Sequence, residues 1–493
     1  MRVISKSRFI SGVQCHKKIW FDYYRKDLRL PIDSAQQRVF DLGHEIGKMA
    51  QKVFPGGKDA TPENFYNLNP AAIQTRIWLE EGIEIIYEAT FIAGNATAIL
   101  DILHRKGNKL HAIEVKNSTE AKDYHLQDAA LQYFVMSKAG YQPDCFYLMH
   151  VNNKYVKDGK ITDEFFIMQD ITETVKSKQQ WVAENLGTLL DIVQLQQEPV
   201  VSIGTHCGSP FDCDYRHHCW SHIPEKSVFD LALGRKKIWD LYEKNILKLE
   251  DIPEDYPLSC NQLLQVNGVK NGKEVFEKEN IQKYLNSWEF PLHHFDFETI
   301  YPAIPILNGT SPYQQIPFQY SLHIQNEDRS IVHKEFLAEP MDFINEIKDP
   351  RKKMIEQMKH DFGIVGSVVT YNMSFEKNRL TELAKDFPED SEFLNGILSR
   401  LVDLLPIFKK RWYYKPAMGK SASIKSVLPA IVPHLSYHDM EIKNGEAASD
   451  AFLQSILTPA IYTAKLRKSL LKYCEMDTWA MVEIYNHLNR RNV

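Results

Sequence analysis

Two stretches in which β-rich runs alternate with helical ones, held apart by a broken and charged segment, constrain this chain more than any other feature. In the first, apolar Val39, Phe40, Ile46, Met49, Ala50 and Val53 recur near helical spacing until Phe54-Pro55-Gly56-Gly57 ends the helix. Strands are predicted over 83–91, 96–104 and 110–115. Gly94-Asn95 and Lys106-Gly107-Asn108 separate them, which suits a meander. A helix over 124–139, a strand over 145–151 and a helix over 174–196 follow. Segment 227–287 reads as short amphipathic helices broken by Pro253, Pro257, Gly268 and Gly272. The second alternation starts at Pro291, with strands over 293–297, 318–324 and 331–337, a helix over 343–360 and a strand over 367–371. Helices over 375–385 and 463–488 complete an α/β pattern.

A chain of 493 residues exceeds the roughly 250 to 300 at which one core stops growing. We expect domains over 1–224 and 288–493, joined by a helical connector over 225–287. Hydrophobic content of 44% and charged content of 25% place it among globular proteins. It shows neither a run of about 18 apolar residues nor a basic-then-apolar leader, so the expectation is a cytoplasmic protein with no membrane partner. With a net charge of −5, a polyanion would have to be held by local basic patches or metal ions rather than by the overall field.

Carboxylates interrupt the apolar strands at chemically suggestive places. In Ala98-Ile-Leu-Asp101 and Ala112-Ile-Glu114-Val-Lys116, two-residue periodicity puts Glu114 and Lys116 on one face, where Asp101 on the neighbouring strand can join them. Two carboxylates can hold a hard divalent cation, and a nearby ammonium can orient or activate water for attack on a phosphodiester. An isolated Glu-x-Lys is ordinarily a solvated strand face. In the second stretch, Asp296-Phe-Glu298 sets two carboxylates on one face of a strand. Tyr371-Asn372-Met-Ser-Phe-Glu376 stands at a strand-to-helix junction, and Tyr473 and Asp477 share a helix face at i, i+4.

Seven cysteines in so long a chain do not make a disulfide scaffold, but Cys207-x5-Cys213-x5-Cys219 is a regular triplet, with Cys15 far upstream. Four thiolates suffice for an iron–sulfur cluster. Zinc is the competitor, helped by His206, His217 and His218, although structural zinc prefers tighter cysteine pairs. Lys409, Lys410, Arg411, Trp412, Tyr414 and Lys415 interleave cations with aromatics, so the stretch could grip phosphates and stack bases, or end a helix with its rings buried.

The helix, three strands, helix order with Asp101 and Glu114-x-Lys116 resembles the PD-(D/E)xK nucleases, specifically the RecB-like branch, in which Gln132 fits a glutamine position and Asp128 would share its face. That branch often places a metal-ligating histidine on the first helix, where this chain offers His44 and Glu45. One cysteine before the core and three after it resemble the iron–sulfur nucleases that include the CRISPR adaptation nuclease and AddB-type subunits. The resemblance implies a structural 4Fe-4S cluster on Cys15, Cys207, Cys213 and Cys219, stapling the domain's ends together. The second block resembles the DnaQ-like DEDD exonucleases of RNase H-like fold, in the variant whose third motif begins with tyrosine. This implies that Asp296, Glu298, Glu376 and Asp477 bind two Mg2+ or Mn2+ ions about 4 Å apart, with Tyr473 orienting water. The family normally has aspartate where Glu376 stands, and Asp403 could either compensate or serve as a cap.

The full order is similar to a bacterial family of fused nuclease-like proteins. The implied function is metal-dependent hydrolysis of DNA, as a 3′→5′ exonuclease with a second nuclease site, in repair, degradation or defence. Single strands or 3′ ends are the expected substrates, and a helicase partner is suggested by analogy. The alternatives are a nucleic-acid-binding protein with one or both sites inactive and an RNA-processing exonuclease.

Overall fold

The computed structural model describes residues 2–344 and 349–492. The chain is mixed α/β and divides into two compact units, Met1–His222 and Ile223–Val493. Among the described residues, no helix is long and apolar enough to cross a membrane.

The first unit opens with α1 (Lys6–Gln14), α2 (His16–Tyr24), α3 (Ser34–Val53), β1 (Lys58–Asp59) and α4 (Asn69–Glu80). The meander follows as β2 (Ile85–Ala93), β3 (Ala96–Lys106) and β4 (Lys109–Lys116). Both of its turns are two residues long and begin with a glycine at positive φ, Gly94 at 56° and Gly107 at 61°, a conformation that costs a side-chain-bearing residue steric strain. Next come α5 (Asp123–Lys138), β5 (Cys145–Val151), β6 (Phe166–Asp170), α6 (Thr172–Ser177), α7 (Gln179–Ile192) and the short α8 (Arg216–Cys219).

The six strands lie in sequence order, with β1 parallel to β2 and β4 parallel to β5. Helix α5 makes the β4-to-β5 crossover. It is buried on several faces, through Ala129, Ala130, Tyr133, Val135 and Met136, because α1, α6 and α7 pack against it as well as the sheet. Two expectations are corrected. The single helix over 174–196 is two, α6 and α7. In α3, Ile46 and Ala50 are buried, but Val39 and Phe40 are exposed and belong to no core face.

The second unit begins with α9 (Lys236–Glu243), α10 (Cys260–Asn271), β7 (Val275–Phe276) and α11 (Lys278–Leu285). Its sheet is built from β8 (Leu292–Ile300), β9 (Ile316–Gln325) and β10 (Ile331–Leu337), then β11 (Val368–Thr370) and β12 (Leu401–Asp403) after α12 (Pro340–Ile344), α13 (Pro350–Asp361), α14 (Ser374–Asp386) and α15 (Ser391–Leu398). It closes with α16 (Leu405–Lys409), β13 (Tyr413–Tyr414), α17 (Ile424–Ile431), α18 (Gly445–Leu457) and α19 (Ala464–Asn492).

The sheet order is β10-β9-β8-β11-β12, antiparallel through β8 and parallel beyond it. β8 is the central strand and is buried along nearly its whole length. Its Phe295 and Phe297 pack with Met354, Ile355 and Leu380 from α13 and α14. Strand alternation then turns Asp296 and Glu298 to the opposite face, the side on which α19 and α18 lie. Where a helix over 343–360 was expected, residues 345–348 lie outside the described residues. Helix α13 starts afresh at Asp349, whose carboxylate caps Arg351 N at 2.9 Å, with Pro350 in the first turn. The segment 225–287 packs within this unit: Val228, Leu231, Leu241, Leu249, Ile252 and Val266 form a small core, and β7 pairs with β13.

Candidate metal centres

The register of β3 and β4 runs from Lys106↔Lys109 to Ile102↔Ile113. At the next position the Asp101 carboxylate enters the ladder itself, accepting a hydrogen bond from Val115 N at 2.6 Å. Glu114, beside it, is 1% exposed. Its Oε1 accepts from Lys116 Nζ at 2.7 Å and from Lys6 Nζ at 2.8 Å, while Oε2 is buried without a partner. Lys116 also donates to Asp128 Oδ2 at 2.7 Å, and the fully buried Gln132 reaches Asp128 Oδ1 at 3.4 Å, leaving its own Oε1 unpartnered. The structure thus brings Asp101, Glu114, Lys116 and Gln132 together with Asp128. His44 and Glu45 are exposed on α3.

Two members of this group escaped the sequence reading. Lys6 comes from the start of α1, more than a hundred residues away in the chain. Glu88 sits in mid-β2 at φ 52°, where the β2–β3 pairing skips it between Tyr87 and Ala89. A lone acid in the apolar run Ile85-Ile-Tyr-Glu88-Ala was its only signal. Burial, then Asp101, pushes Glu88 up to about 8, and burial, then Glu114, pushes Asp101 up to about 7. For Glu114, burial is outweighed by Lys116 and Lys6, which hold it well below the usual carboxylate range.

The cysteine triplet and Cys15 converge. Cys15, Cys207, Cys213 and Cys219 line one pocket, together with Lys17, Lys18 and Arg216. Gln14 fixes the loop by donating to His206 O at 2.8 Å and Phe211 O at 2.6 Å, and Tyr215 is anchored on Asp22 at 2.8 Å. Phe21, Trp20 and Tyr215 form the apolar wall behind Cys213 and Cys219. Burial raises the thiols of Cys15, Cys213 and Cys219, the last to about 11. His206 also lines the pocket, whereas His218 packs edge-on against Phe21.

In the second unit, Asp296 and Glu298 from β8, Glu376 from the first turn of α14 and Asp477 from α19 come together as one interacting cluster. Asp296 and Glu376 share a hydrogen bond, and Glu376 Oε2 is buried without a partner. Donor atoms of Asp296, Glu298 and Cys474 lie within 4.8 Å of one another. The longer reach of glutamate lets position 376 touch Asp296 from its helix. The Asp403 carboxylate accepts from Asn372 N at 2.9 Å, Met373 N at 3.2 Å and Leu405 N at 2.9 Å, as a cap would. It therefore clamps the loop that delivers Glu376, including Asn372 at φ 77°.

Four carboxylates crowded out of water resist ionising together. Burial, then Asp477, raises Asp296 and Glu298 far above their usual range. Burial raises Glu376 to about 8 and Asp477 to about 6. The Asp477 carboxylate accepts from Tyr437 at 2.6 Å and is bonded by Tyr473. Lys425 lies over both rings, 5.5 Å and 5.3 Å from their centroids. Tyr437 was not singled out from sequence. Burial, then Asp477, drives both phenols upward.

The aromatic-basic stretch divides differently from the expected nucleic-acid surface. Arg411 and Tyr414 are 4% and 0% exposed, with the guanidinium stacked 4.6 Å over the Tyr414 ring. Trp412 packs on Tyr284 and lies under Lys410. Neither Arg411 nor Tyr414 is open to a phosphate or a base, because both side chains are buried and Tyr414 lies in β13, which pairs with β7. Lys409 and Lys410 remain exposed, and Lys415 is 3.7 Å from Glu274.

Residues 293–423 match a family described as a domain of unknown function, DUF2779. The span includes Asp296, Glu298 and Glu376 and stops before Tyr473 and Asp477. The uncharacterized protein MG366 of Mycoplasma genitalium is 30% identical over 270 aligned residues, covering 47% of this chain and 40% of that protein. Its Mycoplasma pneumoniae homolog is 30% identical over 210 residues, covering 39% and 31%. The chain thus spans less than half the length of these curated relatives. The crystal structure of SSO0001 is 13% identical and covers 40% of this chain and 78% of that one, at a TM-score of 0.21, too low to carry a fold across.

Proposed function

We propose that the protein is a metal-dependent nuclease whose principal site is the pocket of Asp296, Glu298, Glu376 and Asp477. The observation that carries this reading is four carboxylates from three elements converging, three of them buried, and all raised above their usual range although Arg379 draws Glu376 down and Lys425 draws Glu298 and Asp477 down. Such an arrangement is costly unless it serves divalent ions. Oxygen-only donors suit Mg2+ or Mn2+, which when bound would stabilise the charge that develops during phosphodiester hydrolysis. Tyr473 and Tyr437 hold Asp477 in place, Asp403 holds the loop of Glu376, and Lys425 at the rim can receive a phosphate. A central strand flanked by an antiparallel pair on one side and a parallel pair on the other supports an RNase H-like, DnaQ-type reading, and hence cleavage from a 3′ end.

The first unit supports a RecB-like reading through its meander, its crossover helix and the Asp101, Glu114, Lys116 and Gln132 group. There Lys116 would orient water, and Lys6 keeps Glu114 ionised. Four thiols beside Lys17, Lys18 and Arg216 fit an anionic iron–sulfur cluster, whose role would be to hold residues near Cys15 against those after Cys207.

The test is anaerobic purification, followed by incubation of end-labelled single- and double-stranded DNA and matched RNA with Mg2+ or Mn2+. Wild type is compared with Asp296→Ala, Lys116→Ala and the double variant. Laddering from the 3′ end of DNA that vanishes in Asp296→Ala, with internal cutting lost only in Lys116→Ala, is the expected result. Cleavage confined to RNA would reassign the substrate. Intact substrates throughout would leave a binding protein.

A further inference from the structure

We infer that His323, His333 and Glu475 form a separate transition-metal site of the zinc type, on a different face of α19 from Tyr473 and Asp477. The two histidines are directly opposed across the β9–β10 pair, with ring centroids 4.3 Å apart and planes 24° from parallel. One donor atom from each of the three residues lies within 4.8 Å of the others.

Hydroxyl contacts around these residues are what turn a cluster into a site. Thr478 Oγ1 lies 3.1 Å from Glu475 O, 2.8 Å from His323 Nδ1 and 2.7 Å from Ser321 Oγ, and Ser321 Oγ lies 2.9 Å from His333 Nε2. With the Thr478 proton on Glu475 O, both hydroxyls accept from the imidazoles. One nitrogen of each ring is thus engaged by a hydroxyl, and the other is left for an ion: Nε2 of His323 and Nδ1 of His333. The latter is 4.0 Å from Glu475 Oε1.

Ligating histidines are characteristically fixed in this way, by a hydrogen bond on the nitrogen that does not bind. Two imidazoles and one carboxylate select zinc and its neighbours over Mg2+, and three protein ligands leave a fourth position for water. His323 is buried, while the side chains of His333 and Glu475 are 25% and 49% exposed, so an ion can enter from solvent. Bound there, it would tie the β9–β10 hairpin to α19, the helix that carries Tyr473 and Asp477.

The experiment uses the full chain, stripped with chelator and held in excess Mg2+ so that oxygen-donor sites are filled. Zn2+ and, separately, Co2+ are titrated into wild type, His333→Gln, Glu475→Gln and Thr478→Val. The cysteine pocket is unchanged in all four and cancels in the comparison. We expect wild type to take up one more equivalent of zinc than His333→Gln. The extra Co2+ should show ligand-field bands without added thiolate charge transfer, and Thr478→Val should bind about 10- to 100-fold more weakly. Equal zinc uptake by wild type and His333→Gln overturns the assignment. Should His333→Gln fail to fold, the exposed Glu475→Gln decides it: unchanged zinc affinity there overturns the site, and weakened affinity supports it.

Discussion

The two acidic groups solve the same electrostatic problem in opposite ways. In the first unit, Lys6 and Lys116 reach the same oxygen of Glu114 and keep it ionised, while Asp101 and Glu88 beside it hold their protons more tightly. Among the described residues of the second unit, no lysine is hydrogen-bonded to the cluster. Lys425 stands over the tyrosine rings at the rim, and every carboxylate is pushed up instead. One group carries its counter-charge in its own sequence. The other would have to take it up from solution, as protons or, on the function proposed above, as metal.

That contrast can be broken most sharply at Asp296. Asp296→Asn is expected to lower metal-dependent cleavage about 100-fold or more and, in chelator, to raise the melting temperature by relieving the crowding. A variant that melts lower than wild type without metal would deny that the pocket is strained. Next in size is Lys116→Met, which strips Glu114 and Asp128 of a buried partner and should cost the first unit about 3 kcal/mol in denaturant melts. Lys425→Met should cost the second unit less than about 1 kcal/mol, since its ammonium is at the surface. Equal losses would erase the distinction.

The pH dependence gives a finer test. Glu376 and Asp477 bind protons more tightly folded than unfolded. Their contribution is therefore complete below the ordinary values of 4.5 and 3.8 and is lost as pH rises through about 6 and then about 8. Glu114 runs the other way: its contribution is present above 4.5 and fades only as pH falls. Asp101 and Glu88 add a decline near 7 and 8 in the first unit. Hydrogen exchange followed segment by segment should show the β8–α19 region weakening between pH 6 and 8, and Mg2+ should flatten that trend. An unchanged slope with Mg2+ would count against metal binding there. The smallest effect is expected at Lys409→Ala and Lys410→Ala, each reducing the salt dependence of single-strand binding by about 0.7. Filter binding at several ionic strengths would measure it.

Sequence patterning read the regular parts of both units well, because β2 to β5 and β8 to β10 are long apolar runs bounded by turn residues. It failed where an element is short or where its meaning comes from far away. β12 is three residues long, so Asp403 gave no strand signal, and its three backbone contacts depend on β11 lying alongside. Val39 and Phe40 keep helical spacing yet face solvent. Tyr413 and Tyr414 look like a stacking surface until β7, well over a hundred residues earlier, covers them. The motif carboxylates were legible as residues, but Lys6, Glu88, Tyr437 and Lys425 join them only through the fold.

The pairing of β7 with β13 has a consequence for how the second unit can be subdivided. Ile281, Leu285 and Trp288 share one core with Leu470, Ile484 and Leu488 of α19, so residues before 288 help to hold the helix that carries Asp477. A fragment begun at residue 288 would bare an unpaired strand edge at Tyr413 and Tyr414 and one flank of the helix that holds Asp477. The compact unit of this half starts at Ile223, and the β7–β13 interlock within it closes only after the greater part of the chain has been made.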